Sequence, residues 1–569
     1  MKKRADQEYP SPYRGFLGRL ASGFDRALSI VAPVRAARHM EARMNMAVAS
    51  EFFNAPGGFD AADRSSREMG SWTPFPTDAD SSILFGLDDM RSRSRDAVRN
   101  QPLAGGIVNT TIMNTVGVGL TLQSRIDRDV LKMSDEEAEA WQNHTERRFR
   151  LWARSKNCDL ERKLPFNGHV NLALRCRCVN GEALTLLPHV PLDGLSNPLR
   201  LQAIESDRLS NPNGVPDRDD LVGGIKKDEH GAPIAYHIMR THPGNVRTMN
   251  RDLWRWDEYP AFNPETGLPN VIHYYRTERP GQSRGFPMLA PVLEPLKDLT
   301  RMSKAELKRA VVSALFTVFL KNTQGKGMDN MPAFGGQTFP GGMSVTGQEE
   351  SAQTTGNIRL GYGSIVDLGD SGADVVFADP KMPNANFDPF FLANVRQIGL
   401  QIGIPYEVLI KHYTASYSAA KAAMEDGHRF FLTMRGELVV DYCDPIYAVW
   451  LAQEVAQGTI YAPGFFADPM IRAAWLGNEW IGPKKPILDE VKAIEAAERR
   501  SALAVSTLAQ ETAEMNGGDW ETNVKQRGRE ERVRRNEGLV SEQKPTDKKN
   551  PKPGTDENNP DLPETEDKA

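Results

Sequence analysis

Apolar positions along the chain follow two periods, and these divide it into helical and strand-bearing stretches. Over 289–320, LAPVLEPLKDLTRMSKAELKRAVVSALFTVFL, the residues Leu289, Val292, Leu293, Leu296, Leu299, Leu307, Val311, Leu315, Val318 and Phe319 recur mostly three or four apart. That spacing predicts one long helix, which at ~1.5 Å per residue would exceed about 40 Å. Pro291 and Pro295 fall in its first turns, where a missing N–H costs least or leaves a kink. The spacing also predicts helices over 134–154, 388–402, 416–456 (with a break or kink at Pro445), 487–514 and 520–535. Ser134 followed by Glu137 is a capping box, and Arg147, Arg148, Arg150 and Arg154 gather at the opposite end of that helix, where cations suit its dipole. Met424, Phe431 and Leu438 repeat at seven to give an apolar stripe.

Between these stretches the period shortens to two. Residues 168–285 read as β-rich, with short runs in EALTLLPHV, LRLQAIESDRL, GGIKK, APIAYHIMR and NVIHYYR. Residues 92–125 read as a helix followed, after Asn100-Gln101-Pro102, by a strand-like run. Residues 321–363 are rich in Gly, Gln and Ser, and three strand-like pieces, NIRL, SIVDL and ADVVFAD, close that insert. Residues 1–70 read as a partly ordered arm. Residues 541–569 hold five Pro, eight acids and five Lys with a single Leu, too little apolar surface to order the segment.

Composition narrows the function classes. With 40% apolar and 25% charged residues, the chain has the make-up of a soluble folded protein. A net charge of −5 argues against a tight, sequence-independent DNA clamp, although sliding contact is compatible with it. Four cysteines are too few for a disulfide framework, and Cys176-Arg177-Cys178 has the wrong spacing for a zinc knuckle, so no metal and no cofactor are expected. The run AVVSALFTVFL is too short to cross a membrane. The MKKR start lacks the apolar core of a signal peptide, so the protein is expected to stay where it is made unless something larger carries it.

The strongest enzyme-like signal is Gly281-Gln282-Ser283-Arg284-Gly285, a literal G-x-S-x-G. In a hydrolase, tight Gly-flanked turns expose such a serine. Here Thr277 to Pro280 separate the motif from its strand, and Pro287 and Pro291 disturb the helix that should follow at once. A structural strand-to-helix turn is the plainer reading. No phosphate-cradling G-x-x-x-x-G-K-[ST] occurs, because Lys326 lies between two glycines without the Ser or Thr. Lys411, His412, Tyr413, Thr414 and Tyr417 fit either an ordinary surface loop or one facing a polyanion, with cations for charge and tyrosines for flat apolar faces.

The order of the segments carries more than any single motif. Arg279–Pro287 leads into a helix containing Lys304-Ala305-Glu306-Leu307. The glycine-rich insert follows, then Ile398-Gly399, Gly403-Ile404-Pro405-Tyr406-Glu407-Val408-Leu409 and Ser416-Tyr417-Ser418-Ala419-Ala420. Upstream stand Arg95-Asp96-Ala97, Arg99-Asn100, Ile204-Glu205, Asp207-Arg208-Leu209 and Val271-Ile272-His273-Tyr274. This order resembles the lambda-type phage portal proteins from about residue 90 to about residue 535. The resemblance implies an α+β subunit: a mixed wing over 71–286, stem helices over 287–320 and 387–402, a clip insert over 321–386, a tunnel loop over 403–418, a channel-side helix and wing return over 419–480 and crown helices over 481–537. The arm over 1–70 and the acidic tail over 538–569 fall outside it. It also implies a homo-oligomeric ring of about twelve subunits closed by head-to-tail contacts, placed at a capsid vertex of the virion after synthesis in the host cytoplasm.

Double-stranded DNA would pass through that ring without sequence-specific contacts. The implied partners are the terminase large subunit, head-completion or connector proteins, and the major capsid or scaffold protein, with no membrane and no catalysis. Lys411, His412, Tyr413, Thr414 and Tyr417 become candidate channel residues, and Lys321 and Lys326 candidate clip contacts. The alternatives are a hydrolase using Ser283 and a DNA-binding adaptor using the basic N-terminal arm.

Overall fold

The computed structural model describes Ala61 and residues 69–191, 197–245, 254–315, 319–322, 373–376, 386–413, 416–487, 489–516 and 518–539. The chain separates into two compact units, Met1–Asp78 and Ala79–Ala569. In the first, Trp72 and Phe75 are exposed and the Trp72 amide donates to the Met69 carbonyl at 3.0 Å. All that follows concerns the second unit.

It opens with α1 (Ala79–Leu84), α2 (Leu87–Asn100) and α3 (Pro102–Thr115), followed by β1 (Thr121–Ser124), α4 (Arg128–Leu131), α5 (Asp135–Arg154) and α6 (Phe166–Asn180). The Ser134–Glu137 capping box is formed, each side chain satisfying the other's backbone N–H. Two expectations fail here. Residues 102–115 are helical rather than strand-like, started by Pro102 in the first turn, although the strand expected at the end of that run is present as β1. Residues 166–180, assigned largely to the β-rich stretch, are also a helix. Nine of its side chains are buried, so no polar face marks its period in the sequence.

The strands follow as β2 (Glu182–Leu186), β3 (Gln202–Ile204), β4 (Leu221–Val222), β5 (Ile225–Lys227), β6 (Pro233–Met239), β7 (Trp256–Pro260) and β8 (Val271–Tyr275). They form two antiparallel sheets in the orders β3-β2-β8 and β4-β5-β6-β7. Every residue of β2 is buried. Its alternate side chains serve two cores: Ala183 joins the large helical core, whereas Leu184 and Leu186 join a smaller one with Ile204, Tyr236, Ile238 and Val271.

The long helix is shorter than its apolar spacing suggested. A 3₁₀ turn over Ala290–Val292 leads into α7 (Leu293–Leu315), 23 residues or about 34 Å at ~1.5 Å per residue. The run beyond it turns extended, and β9 (Phe319–Asn322) pairs antiparallel with β10 (Ala373–Val376). The strand expected in ADVVFAD is therefore present over its first four residues, while NIRL and SIVDL lie outside the described residues.

α8 (Phe387–Ile402), α9 (Tyr406–Ile410) and α10 (Tyr417–Leu438) come next. A π-helical turn over Val439–Cys443 precedes α11 (Asp444–Ala456), whose first turn holds Pro445, so the expected break takes this form. α12 (Pro469–Trp475) and β11 (Asn478–Ile481) follow, and β11 pairs with β1. The helix expected over 487–514 is two, α13 (Glu490–Ala502) and α14 (Leu508–Asn516), with Ala504 between them at a φ of 54°. α15 (Trp520–Asn536) ends the described chain with no buried residue.

Candidate functional site

The elbow between α8 and α10 is built on two glycines. Gly403 ends α8 at a φ of 88°, its amide donating to the Gly399 carbonyl at 2.8 Å, and the Ile404 amide donates to the same carbonyl at 3.0 Å. A side chain at Gly399 would place its Cβ 2.6 Å from the Ile404 carbonyl oxygen, so the chain reverses this tightly only without one. Buried Ile404 and Leu409 anchor the elbow to the core. Pro405 starts α9 with a fixed φ, and the Arg396 guanidinium lies over the Tyr406 ring at 4.7 Å. Gly427 on α10 faces Val408 and Pro405 of the elbow at van der Waals distance.

Lys411 closes α9 in the left-handed region at a φ of 55°, and the His412 amide donates to the Glu407 carbonyl at 3.1 Å. The structure thus presents Lys411, His412 and Tyr413 consecutively on one exposed corner. Thr414 lies outside the described residues. Tyr417 is exposed too, but its surroundings differ. It lines a groove of about 400 Å³ between α10 and α13–α14, with Lys421, Met424, Lys485, Lys492 and Glu514. Lys321 stands on β9 opposite Asp374. Lys326 lies outside the described residues.

α8, which runs into this elbow, and α7, which packs against α8, are each buried at one end only. On α7, Leu296 and Leu299 are buried, whereas Leu307 and Val311 are 66% and 49% exposed. On α8, Val395, Ile398 and Ile402 are buried while Phe390 is exposed.

A second constellation surrounds the G-x-S-x-G turn, and it is structural. Ser283 is buried; its amide donates to Asp80 Oδ1 at 2.7 Å and its hydroxyl to Asp80 Oδ2, and no histidine contacts it among the described residues. The Gln282 side chain closes the loop, accepting from the Glu278 amide at 2.8 Å and donating to the carbonyls of Arg276 and Arg284 at 3.1 and 2.9 Å. A serine tied this way is not poised as a nucleophile.

Beside it lies Glu182, fully buried at the start of β2. It accepts from Arg91 Nη2 at 2.6 Å, from Arg284 Nε and Nη2 at 2.9 and 2.5 Å, and from the Gly285 amide at 3.0 Å. His273 Nε2 stands 3.0 Å from Oε2, the oxygen that also accepts from the Gly285 amide. Burial alone would raise this carboxyl's pKa, but Arg284, Arg91 and His273 hold it well below the usual range. Burial pushes the imidazole of His273 down, toward its neutral form, although Glu182 pulls the other way. Arg284 also donates to the carbonyls of Ser206, Leu209 and Gly223, and Arg95 pairs with Asp207. Scattered sequence marks at 95, 205–209, 271–274 and 279–287 therefore converge on one buried ion cluster.

Sequence reading missed four buried or half-buried charges. Glu182 and Arg91 gave no signal beyond a charge beginning an apolar strand and a charge on an amphipathic helix. Arg177, between two cysteines, bonds Tyr274 and Glu437 and so ties α6 to β8 and α10. Arg435 donates to the carbonyls of Thr115, Asn114 and Pro483 at 2.9, 3.3 and 3.0 Å, fastening the end of α10 to α3 and to the segment after β11. No described group of His, Cys, Asp or Glu has the geometry to hold a metal ion, and no described helix is long and apolar enough to cross a membrane.

Comparison with known proteins places this chain in a family. The chain is similar to portal protein B of Escherichia phage lambda, 24% identical over 83% of this chain and 89% of that one. The portal protein of Escherichia phage N15 is 25% identical over the same shares. Among solved structures, a chain from the neck of a native gene transfer agent particle, computed with C12 symmetry, aligns with a TM-score of 0.41 at 15% identity, over 74% of this chain and 92% of that one. The family described as phage portal protein, lambda family, matches residues 65–435, well over half of the 569 residues. The chain belongs to the lambda family of phage portal proteins.

Proposed function

We propose that this chain assembles head-to-tail into a closed ring of about twelve copies at one vertex of a phage capsid. Double-stranded DNA passes along its axis during packaging and ejection. In this reading 71–286 is the wing, α7 and α8 are stem helices, and 321–386 is the clip, where Lys321 and Lys326 meet the terminase large subunit and later the connector proteins. Helices α13 to α15 form the crown. The capsid or scaffold protein holds the outer rim. The ring has no catalytic role of its own, and the virion is its place.

The observation that carries this reading is the elbow over 403–413. Two rod-like helices lose their burial away from it, and at the elbow a strained, exposed corner presents Lys411, His412 and Tyr413. A corner of this kind suits a tunnel loop: a few mobile cations touch passing phosphates without displacing enough counterions to trap the DNA. The overall charge of −5 fits a conduit that releases its cargo. Ring formation is tested by electron microscopy and light scattering of the purified chain, where a stable monomer ends the proposal. The elbow is tested separately with Lys411→Gly/His412→Ala, because glycine removes the charge yet keeps the left-handed backbone. Assembly stays intact, and packaged DNA length or retention falls. Unchanged packaging and retention refute the tunnel-loop assignment while leaving the ring in place.

A further inference from the structure

The last two turns of α5 carry cations that no described acid meets in an ion pair, although Glu146 acts on Arg150 from longer range. Arg147, Arg150, Leu151 and Arg154 stand at i, i+3, i+4 and i+7, hence on one face, and all four are exposed, Leu151 at 70%. Exposed Lys156 and Arg162 follow. Among the described residues no acid lies within ion-pair distance of these five cations; the neighbouring Arg148 and Lys163 are the ones that pair, with Glu454 and Glu161. The nearby acids are otherwise engaged. Glu146 accepts from the Ser124 amide at 2.9 Å, and Asp159 accepts from the amides of Glu161, Lys163 and Leu164. A helix C-terminus welcomes cations, but with only about half a charge.

The same chain supplies a matching anion. Residues 554–569, GTDENNPDLPETEDKA, carry six acids against one Lys, with Leu562 the sole large apolar residue. We propose that this acidic segment docks on the ridge of its own chain from Arg147 to Arg162, with Leu562 against Leu151. The linker is long enough. α15 lies beside the start of α5, where Lys525 Nζ is 2.5 Å from Glu139. From Lys525 to Asn536 and from Glu139 to Arg154 the helices span together about 40 Å at ~1.5 Å per residue. The 17 residues from Leu539 to Asp556 reach about 55–60 Å. A tethered segment also competes at millimolar effective concentration, an advantage over any free polyanion. The basic run of α15 is a poorer seat, because Glu530 and Glu531 interrupt it and Arg527 holds Glu531 at 3.1 Å.

The test uses the full chain with the six tail acids changed to Asn or Gln, and a labelled peptide of residues 554–569 followed by fluorescence anisotropy. The peptide binds this chain at least tenfold tighter than the natural chain, whose own segment competes. Arg147→Glu/Arg150→Glu/Arg154→Glu abolishes the gain, and Arg532→Glu/Arg534→Glu/Arg535→Glu leaves it. In the natural chain, carbodiimide joins Lys156 to a tail carboxylate. Equal binding to every variant, loss on the α15 reversal instead, or no Lys156 cross-link overturns the proposal. So does a short DNA duplex that binds the α5 ridge and is not displaced by the peptide.

Discussion

Replacing Glu182 with Gln keeps the shape of the side chain and removes its charge. Arg91 and Arg284, only 2% and 3% exposed, then face each other across an amide that cannot balance them. Arginine does not release its proton in a protein, so neither can adapt by neutralising. Removing one partner of a buried ion pair costs ~3–5 kcal/mol, because the survivor stays desolvated and uncompensated. Here two guanidiniums survive, and Gln retains one oxygen able to accept from Arg284 or the Gly285 amide, so the expected loss is about 4 kcal/mol. Urea denaturation followed by tryptophan fluorescence reads it, at matched protein concentration so that assembly contributes equally. The double variant Glu182→Gln/Arg284→Met should recover part of the loss, since one orphaned cation is gone. A loss below about 1 kcal/mol in the single variant, or a double variant no more stable than the single, would refute the ion-cluster reasoning.

Gly399→Ala should destabilise by ~1–3 kcal/mol, because its Cβ would sit 2.6 Å from the Ile404 oxygen; a urea midpoint equal to that of the natural chain refutes the close-turn account. Burial pushes the Glu146 carboxyl up to about 7, with only partial relief from the Ser124 amide. Its contribution is therefore full below its ordinary value near 4.5 and is lost as pH rises through 7. A rise of that size corresponds to about 3 kcal/mol, so Glu146→Gln should gain stability relative to the natural chain near pH 8 and gain little near pH 4. Hydrogen bonds from Arg500, against the cost of burial, hold Glu511 down at about 2, so that group contributes fully above about 4.5 and fades as pH falls toward 2; Glu511→Gln should flatten the acid limb of the stability profile. A fluorophosphonate probe should leave Ser283 unlabelled in the folded chain, and Ser283→Ala should cost about 1 kcal/mol, since Asp80 loses the hydroxyl but keeps the Ser283 amide and Lys227.

What the sequence disclosed depended on where each residue's partners sit. The α5 capping box is local, three residues end to end, and was readable outright. α7 and α8 showed their period because each keeps an exposed face. α6 and α3 did not: most of α6 is buried, and in α3 a Gly105-Gly106 pair and β-branched residues imitate a strand. The end of α7 was overrun because the aromatic and β-branched residues near 316–320 match a helical stripe and a strand equally well. The elbow was legible as a segment, since Gly403-Ile404-Pro405 announces a turn, but the backbone strain at Lys411 and the separate surroundings of Tyr417 were not. The Glu182 cluster was invisible as chemistry. Its members lie up to 193 positions apart, Arg91 to Arg284, and only the folded chain brings them together.

That separation bears on synthesis. Glu182 leaves the ribosome 102 residues before Arg284, a delay of roughly 5–20 s at ~5–20 residues per second. For that interval β2 lacks both its β8 neighbour and half its counter-charge, so the nascent sheet has an open edge and an unbalanced carboxylate. Folding of this half of the subunit consequently waits for translation to pass the Gly281–Gly285 turn. A chain released before β8 would leave one edge of β2, an apolar strand, unpaired beyond its β3 side.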